Sequence, residues 1–101
     1  MRESTIETRL RDGVKALGGL ALKLTIPGYA GYPDRMVLMP GGRIYFIELK
    51  RPGKLARKLQ LKRHRTLKAF GFYCEVIDTE TGVYTFLNRI FDDQERGESD
   101  G

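Results

Sequence analysis

The sequence has a single cysteine and a single histidine among its 101 residues. One cysteine, Cys74, cannot close an internal disulfide, and its place in an apolar strand pattern predicts a core residue of an intracellular protein. One histidine leaves no Cys/His cluster for zinc, and neither a Ser/His/Asp nor a Cys/His arrangement is present. No apolar run approaches a membrane span, and Met1-Arg2-Glu3-Ser4 opens a polar helix rather than a signal peptide. Acid is absent from one long stretch. From Lys50 to Lys68 there are nine basic residues (Lys50, Arg51, Lys54, Arg57, Lys58, Lys62, Arg63, Arg65, Lys68) and no Asp or Glu.

The length allows one domain with a modest core, and 41% hydrophobic residues suffice to fold it. The net charge of +5 hides an asymmetry: Asp92 to Gly101 carries five acids and one Arg, a net of −4, which leaves +9 on residues 1–91. So basic a body favours a polyanion, nucleic acid or an anionic membrane. Residues 92–101 are too polar to pack and are expected to form a disordered acidic tail behind a domain spanning 1–91. There are no internal repeats or linkers.

Ser4-Thr5-Ile6-Glu7 carries a capping-box pattern, and Ile6, Leu10, Val14 and Leu17 then form one helical stripe that Gly18-Gly19 ends. Glu7 thus has a structural explanation as the cap partner. Leu20 to Ile26 reads as a strand on which Lys23 is exposed. Pro27 to Pro33 is a loop of Gly, Pro and Tyr, a composition that permits close approach to a ligand. Leu55 to Phe70 reads as a second helix with Leu55, Leu59, Leu67 and Phe70 on its buried stripe and basic residues elsewhere. His64, in a run of Lys and Arg, reads as a surface or phosphate-contacting residue rather than a catalytic base. Gly71 closes that helix, Phe72 to Ile77 is a fourth strand, and Val83, Phe86, Leu87, Ile90 and Phe91 suggest a short final helix, with a strand still open for their β-branched and aromatic content. The strand–helix–strand unit predicts parallel pairing of the third and fourth strands. The order α-β-β-β-α-β-α makes an α/β domain with a mixed sheet flanked by helices.

Between the first strand and the second helix lies the stretch with chemistry in it. Arg35–Met39 and Arg43–Lys50 are strands joined by Pro40-Gly41-Gly42, and a hairpin returns the end of the second strand to the start of the first. Asp34 and Glu48 are thereby brought together. Glu48 and Lys50 point to one face, roughly 6.5–7 Å apart, while Leu49 points into apolar packing. Ile44 and Phe46 share the face of Glu48 and Lys50, so an apolar face turns charged at its end. Two carboxylates and an amine there suit a hard divalent cation and a water beside a phosphate.

An acidic residue on the first helix, Pro33-Asp34, Glu48-Leu49-Lys50 and a basic helix after them resemble the PD-(D/E)xK nuclease superfamily and its restriction-endonuclease-like αβββαβα core. Gly31-Tyr32-Pro33-Asp34, Glu48-Leu49-Lys50, Gln60 and Leu67-Lys68-Ala69-Phe70-Gly71 resemble the stand-alone VRR-NUC domains of phages and bacteria, from about Ser4 to Phe91. Archaeal Holliday junction resolvases look like more distant relatives, and the spacing of Glu7 to Gly18 favours Glu7 over Glu3 as the helix carboxylate. The resemblance implies that Asp34, Glu48 and the Leu49 carbonyl hold one or two Mg²⁺ or Mn²⁺ ions, with Glu7 reaching the metal directly or through water. It implies that Lys50 orients or helps deprotonate the attacking water, and that Gln60 positions the water, Lys50 or the phosphate. Lys23, Arg35, Arg51, Lys54, Arg57 and Lys58 become candidates for DNA phosphate contacts. It further implies a homodimer that cuts branched DNA, a Holliday junction resolvase-like endonuclease, in the cytoplasm of a bacterium or a phage-infected host cell.

Other readings stay open at this stage. The same fold supports a nuclease acting on flap or linear DNA, and the basic second helix alone could make a non-catalytic nucleic-acid-binding module. A membrane-surface role is disfavoured, because that helix lacks the bulky apolar face it would need.

Overall fold

Ile6, Leu10 and Val14 recur at every fourth residue, and this stripe becomes the buried face of helix α1 (Glu3–Ala16). The computed structural model describes the backbone of residues 3–100 and the side chains of residues 4–97. The expected capping box does not form. Ser4 lies inside α1, where its carbonyl accepts a bond from Thr8 Oγ1 at 2.9 Å, and Glu7 turns to Arg35 instead. The helix ends as the two glycines predict: Gly19 N–H donates to Val14 O at 3.0 Å and Gly18 N–H to Lys15 O at 2.9 Å, with Gly18 at φ 90. That is the double bond pattern of a glycine-terminated helix.

Four strands follow the expected order: β1 (Leu20–Lys23), β2 (Arg35–Met39), β3 (Arg43–Leu49) and, after helix α2 (Lys58–Ala69), β4 (Tyr73–Ile77). They lie in sequence order across one sheet, antiparallel from β1 to β3 and parallel between β3 and β4. Parallel neighbours need a crossover, which α2 supplies. β1 is shorter than the apolar alternation suggests, although Leu24 N–H still donates to Asp34 O at 2.8 Å. The turn between β2 and β3 needs left-handed backbone, and Gly41 and Gly42 supply it at φ 87 and 76.

The two faces of this sheet differ. Val37 and Met39 of β2, Tyr45, Ile47 and Leu49 of β3 and Ile77 of β4 meet α1 and Val83, Phe86 and Ile90 of helix α3 (Glu80–Asp100) in one buried core. Burial of each large aliphatic or aromatic side chain there contributes about 1.5–3 kcal/mol. On the other face, register places Leu20, Leu38 and Ile44 in one row and Leu22, Met36, Phe46 and Cys74 in the next. Helix α2 packs over β4 on this side, and Leu20, Leu22 and Ile44 remain exposed.

Both later helices depart from expectation. Helix α2 begins at Lys58, not Leu55, and Leu55, Leu59 and Phe70 are exposed; its buried residues are His64 and Leu67. Helix α3 continues through the segment expected to be a disordered tail from residue 92, as far as Asp100. Asp93 shows why the helix continues. It falls three residues after Ile90 on the inward side, where its carboxylate accepts Tyr45 Oη–H at 2.7 Å and its carbonyl accepts Arg43 at 3.3 Å. Gly101 and the side chains from Glu98 onward lie outside the described residues. No helix among the described residues is long and apolar enough to cross a membrane.

Candidate active site

The β2–β3 register pairs Arg35 with Ile47, and continued by one residue it sets Asp34 opposite Glu48. Asp34 Oδ1 accepts the Leu49 N–H at 3.0 Å, which fixes this carboxylate against the backbone of the Glu-x-Lys strand. The loop that delivers it is pinned to α2. Arg63 donates from Nε to Ala30 O at 3.1 Å and lays its guanidinium over the Tyr32 ring, 5.1 Å from the centroid. Gly31, at φ 89, lets the loop come that close: a Cβ there would stand 2.7 Å from Leu59 Cγ. Pro33, just before it, is fully buried.

Glu48 is 4% exposed, in the row of the sheet face that ends the run of apolar residues. Leu49 points the opposite way into the core, as alternation predicts. Lys50 follows at the strand end, half-buried, and its N–H keeps the pairing with β4 by donating to Ile77 O at 3.0 Å. Across from Glu48 stands His64, also 4% exposed, with Nε2 3.8 Å from Glu48 Oε1. Burial, then the charges of Lys68 and Lys50, hold the His64 pKa below its ordinary value. At neutral pH this is therefore a neutral imidazole facing a carboxylate rather than an ion pair. Cys74 lies close by on β4, its thiol raised to about 11 chiefly by burial, and it behaves as the core residue expected.

The other expected site residues fall in several places. Gln60 is half-buried one turn before His64, and its Oε1 accepts the Arg57 N–H at 2.8 Å, capping the start of α2. Its amide NH₂ is the end that can donate. Glu7 does not join Asp34 and Glu48. It lies on the α1 side of the sheet, where Glu7 Oε1 meets Arg35 Nη2 at 2.9 Å. Arg35 alternates with Val37 and Met39, so it is buried under α1 rather than presented to a phosphate, which corrects its expected role in DNA contact. Lys23, Arg51, Lys54, Arg57 and Lys58 are exposed, and Arg51 to Lys54 line an open surface hollow at the β3 end. The side chain of Glu3 lies outside the described residues.

His64, expected to be a surface or phosphate-contacting residue, is instead buried against Glu48. Its signal was the spacing of Gln60, His64 and Leu67, a stripe at i, i+4 and i+7 that the more apolar Leu55, Leu59 and Phe70 masked.

Among the described residues no three His, Cys, Asp or Glu side chains form a metal cluster. Two adjacent carboxylates nevertheless fit a hard cation, since Mg²⁺ is commonly held by one or two carboxylates and keeps several waters. The donor set is all oxygen, with the Leu49 carbonyl beside it, and does not suit zinc.

No family model matches the chain. It is 41% identical over 80 residues to "Putative nuclease p44" of Acyrthosiphon pisum secondary endosymbiont phage 1, covering 79% of this chain and 86% of that protein. A solved structure described as a VRR_NUC domain superposes with a TM-score of 0.80 at 29% identity, over 85% of this chain and 94% of the other. A second, a VRR_NUC domain protein, shares the fold at a TM-score of 0.68 and 19% identity, over 87% and 86% of the two chains. A mixed four-stranded sheet with helices on both faces is thus the VRR-NUC arrangement, and the phage relative extends the likeness to sequence. This chain belongs to the VRR-NUC nuclease family.

Proposed function

We propose that this nuclease is a metal-dependent endonuclease that hydrolyses phosphodiester bonds in branched DNA, four-way junctions first, and works as a homodimer. The observation that carries the chemistry is the bond from Leu49 N–H to Asp34 Oδ1, which fixes the Asp34 carboxylate on the backbone between Glu48 and Lys50. Asp34, Glu48 and the Leu49 carbonyl would hold Mg²⁺ or Mn²⁺. A bound divalent ion there supplies a Lewis acid and lowers the pKa of water. The Lys50 ammonium offsets charge building on the phosphate and orients the attacking water. Gln60, through its amide NH₂, positions the water or a phosphate oxygen. Arg51, Lys54, Arg57 and Lys58 carry the flanking phosphates, with Lys23 reaching outward from the edge strand. Glu7 neutralises Arg35 and supports β2 from the opposite face.

The homodimer reading is supported by the uncovered sheet face. Leu20, Leu22 and Ile44 are exposed within two rows of the site, on a domain too small to span a junction alone. The test incubates the protein with labelled four-way junction, flap, single-stranded and linear duplex DNA in Mg²⁺, Mn²⁺ or EDTA, beside Asp34→Ala and Lys50→Ala. Metal-dependent paired nicks in the junction, absent from both variants, are expected. Cutting only of flap or linear DNA would keep the chemistry and replace the substrate. Binding without cleavage under every metal would leave a basic binding module instead.

A further inference from the structure

Helix α2 buries one polar side chain to which the proposed chemistry gives no part. His64 is 4% exposed, and its Nε2 makes no hydrogen bond among the described residues. Buried polar nitrogens are nearly always bonded, so one that is not calls for an explanation. The group it faces is Glu48 Oε1 at 3.8 Å, about half an ångström beyond hydrogen-bond length. The imidazole can carry a proton on Nε2 in both its neutral and its charged form, so the contact can be completed in either state.

We infer that His64 is a positioning residue: its Nε2–H donates to Glu48 Oε1 when a divalent cation is bound, leaving the other carboxylate oxygen for the ion. This rests on the reading of Asp34 and Glu48 as the cation-binding pair. Two alternatives fit the geometry less well. As a direct ligand His64 would complete a three-residue cluster with the carboxylates, and no such cluster is present among the described residues. As a general base it would need access to water, and at 4% exposure behind Glu48 it has little. An outer partner of a carboxylate ligand needs neither. It needs burial, a fixed ring and a donor atom aimed at the carboxylate.

The helix is built for this. Arg63, the preceding residue, holds the loop that delivers Asp34 through Ala30 O and the Tyr32 ring. Gln60, one turn earlier, fixes the helix start by accepting the Arg57 N–H. Consecutive residues of one helix thus secure the two chain segments that bear the carboxylates, Arg63 for Asp34 and His64 for Glu48. A helix docked on this face sets the distance between the carboxylates as well as their orientation.

The test titrates Mn²⁺ into the protein without DNA, by calorimetry, for wild type, Glu48→Gln, His64→Gln and His64→Leu, with thermal unfolding of each metal-free protein alongside. Wild type is expected to bind and Glu48→Gln to lose binding. His64→Leu should fold and bind about 10–100-fold more weakly, the usual loss for an outer partner of a metal ligand. His64→Gln, which keeps a donor, should bind close to wild type. If His64→Leu fails to fold, His64→Phe takes its place, keeping a ring without a donor. A folded Leu or Phe variant that binds Mn²⁺ as wild type does would overturn the inference and leave the proposed site intact. A Gln variant as weak as Leu would also overturn it, since packing and not donation would then be at work. Absence of Mn²⁺ binding by wild type would remove the cation-binding pair itself, and the role of His64 with it.

Discussion

The two faces of one sheet do different work with similar raw material. The face under α1 and α3 buries Val37, Ile47, Leu49, Phe86 and their neighbours completely, and its charged members, Arg35 and Glu7, neutralise one another at 2.9 Å. The face under α2 is covered only at the β4 side. It leaves Leu20, Leu22 and Ile44 exposed, and it buries Glu48 and His64 without bringing them within hydrogen-bond distance of each other. One face stores stability. The other holds an arrangement that packing alone does not favour, and such arrangements gather where chemistry is done. Glu7 and Glu48 differ in exposure as well as in face: the first meets Arg35 with its side chain 34% exposed, the second is 4% exposed with His64 Nε2 3.8 Å from Oε1.

The largest effects should separate the faces by stability. Phe86→Ala empties a site at the centre of the first face and should cost about 3–5 kcal/mol in urea or thermal unfolding. Ile44→Ser on the second face should change stability by no more than about 0.5 kcal/mol, because the side chain is 38% exposed. Equal losses would mean that the second face is covered in solution, as the homodimer requires, and a concentration-dependent Tm would then accompany them.

Function should separate the faces in the opposite sense. Glu48→Gln is expected to lower metal-dependent cleavage at least ~100-fold, about 2.7 kcal/mol of barrier, while unfolding stability stays within about 1 kcal/mol of wild type. Arg35→Met should do the reverse. It strands the Glu7 carboxylate, and since that side chain is 34% exposed the loss is discounted for solvent to about 1–2 kcal/mol. Its cleavage rate at saturating metal should stay near wild type. A nuclease defect in Arg35→Met as large as that of Glu48→Gln would return Glu7 to the active site.

The sequence carried the hairpin and its chemistry openly. Pro40-Gly41-Gly42 between alternating strands fixes the return of Glu48 to Asp34, and a period of two decides that Leu49 faces the core. The same period placed Arg35 with Val37 and Met39, inside rather than outside, yet a basic residue beside Asp34 reads as a phosphate contact until α1 is seen to lie over it. The face of α2 was harder. Four bulky apolar residues marked a stripe, of which Leu67 is buried as expected while Leu55, Leu59 and Phe70 are exposed, and His64 is buried with Leu67 against Glu48. The tail misled for a related reason. Its charge excludes a core, but Asp93 needs only a tyrosine hydroxyl and an arginine to be held.

Tyr45 carries the smallest effect and the sharpest test of the first face, since its hydroxyl is a polar group within that core. Tyr45→Phe removes the bond to Asp93 and should cost about 1 kcal/mol near neutral pH. The pH dependence gives the same bond a second reading. Burial, then the Asp93 hydrogen bond and charge, raise the Tyr45 hydroxyl from 10.0 to about 12. Between these values the unfolded chain has released a proton that the folded chain retains, so stability is full below about pH 10 and falls as pH climbs toward 12. Tyr73, raised by burial and by its bond to Glu75, adds to the same fall. In Tyr45→Phe the decline should therefore be shallower but not absent, as read from urea midpoints across that window. An unchanged slope would mean that α3 has left the hairpin at high pH before the tyrosine titrates, taking with it the Arg43 contact to the Asp93 carbonyl and leaving only the Arg89–Asp93 pair within the helix.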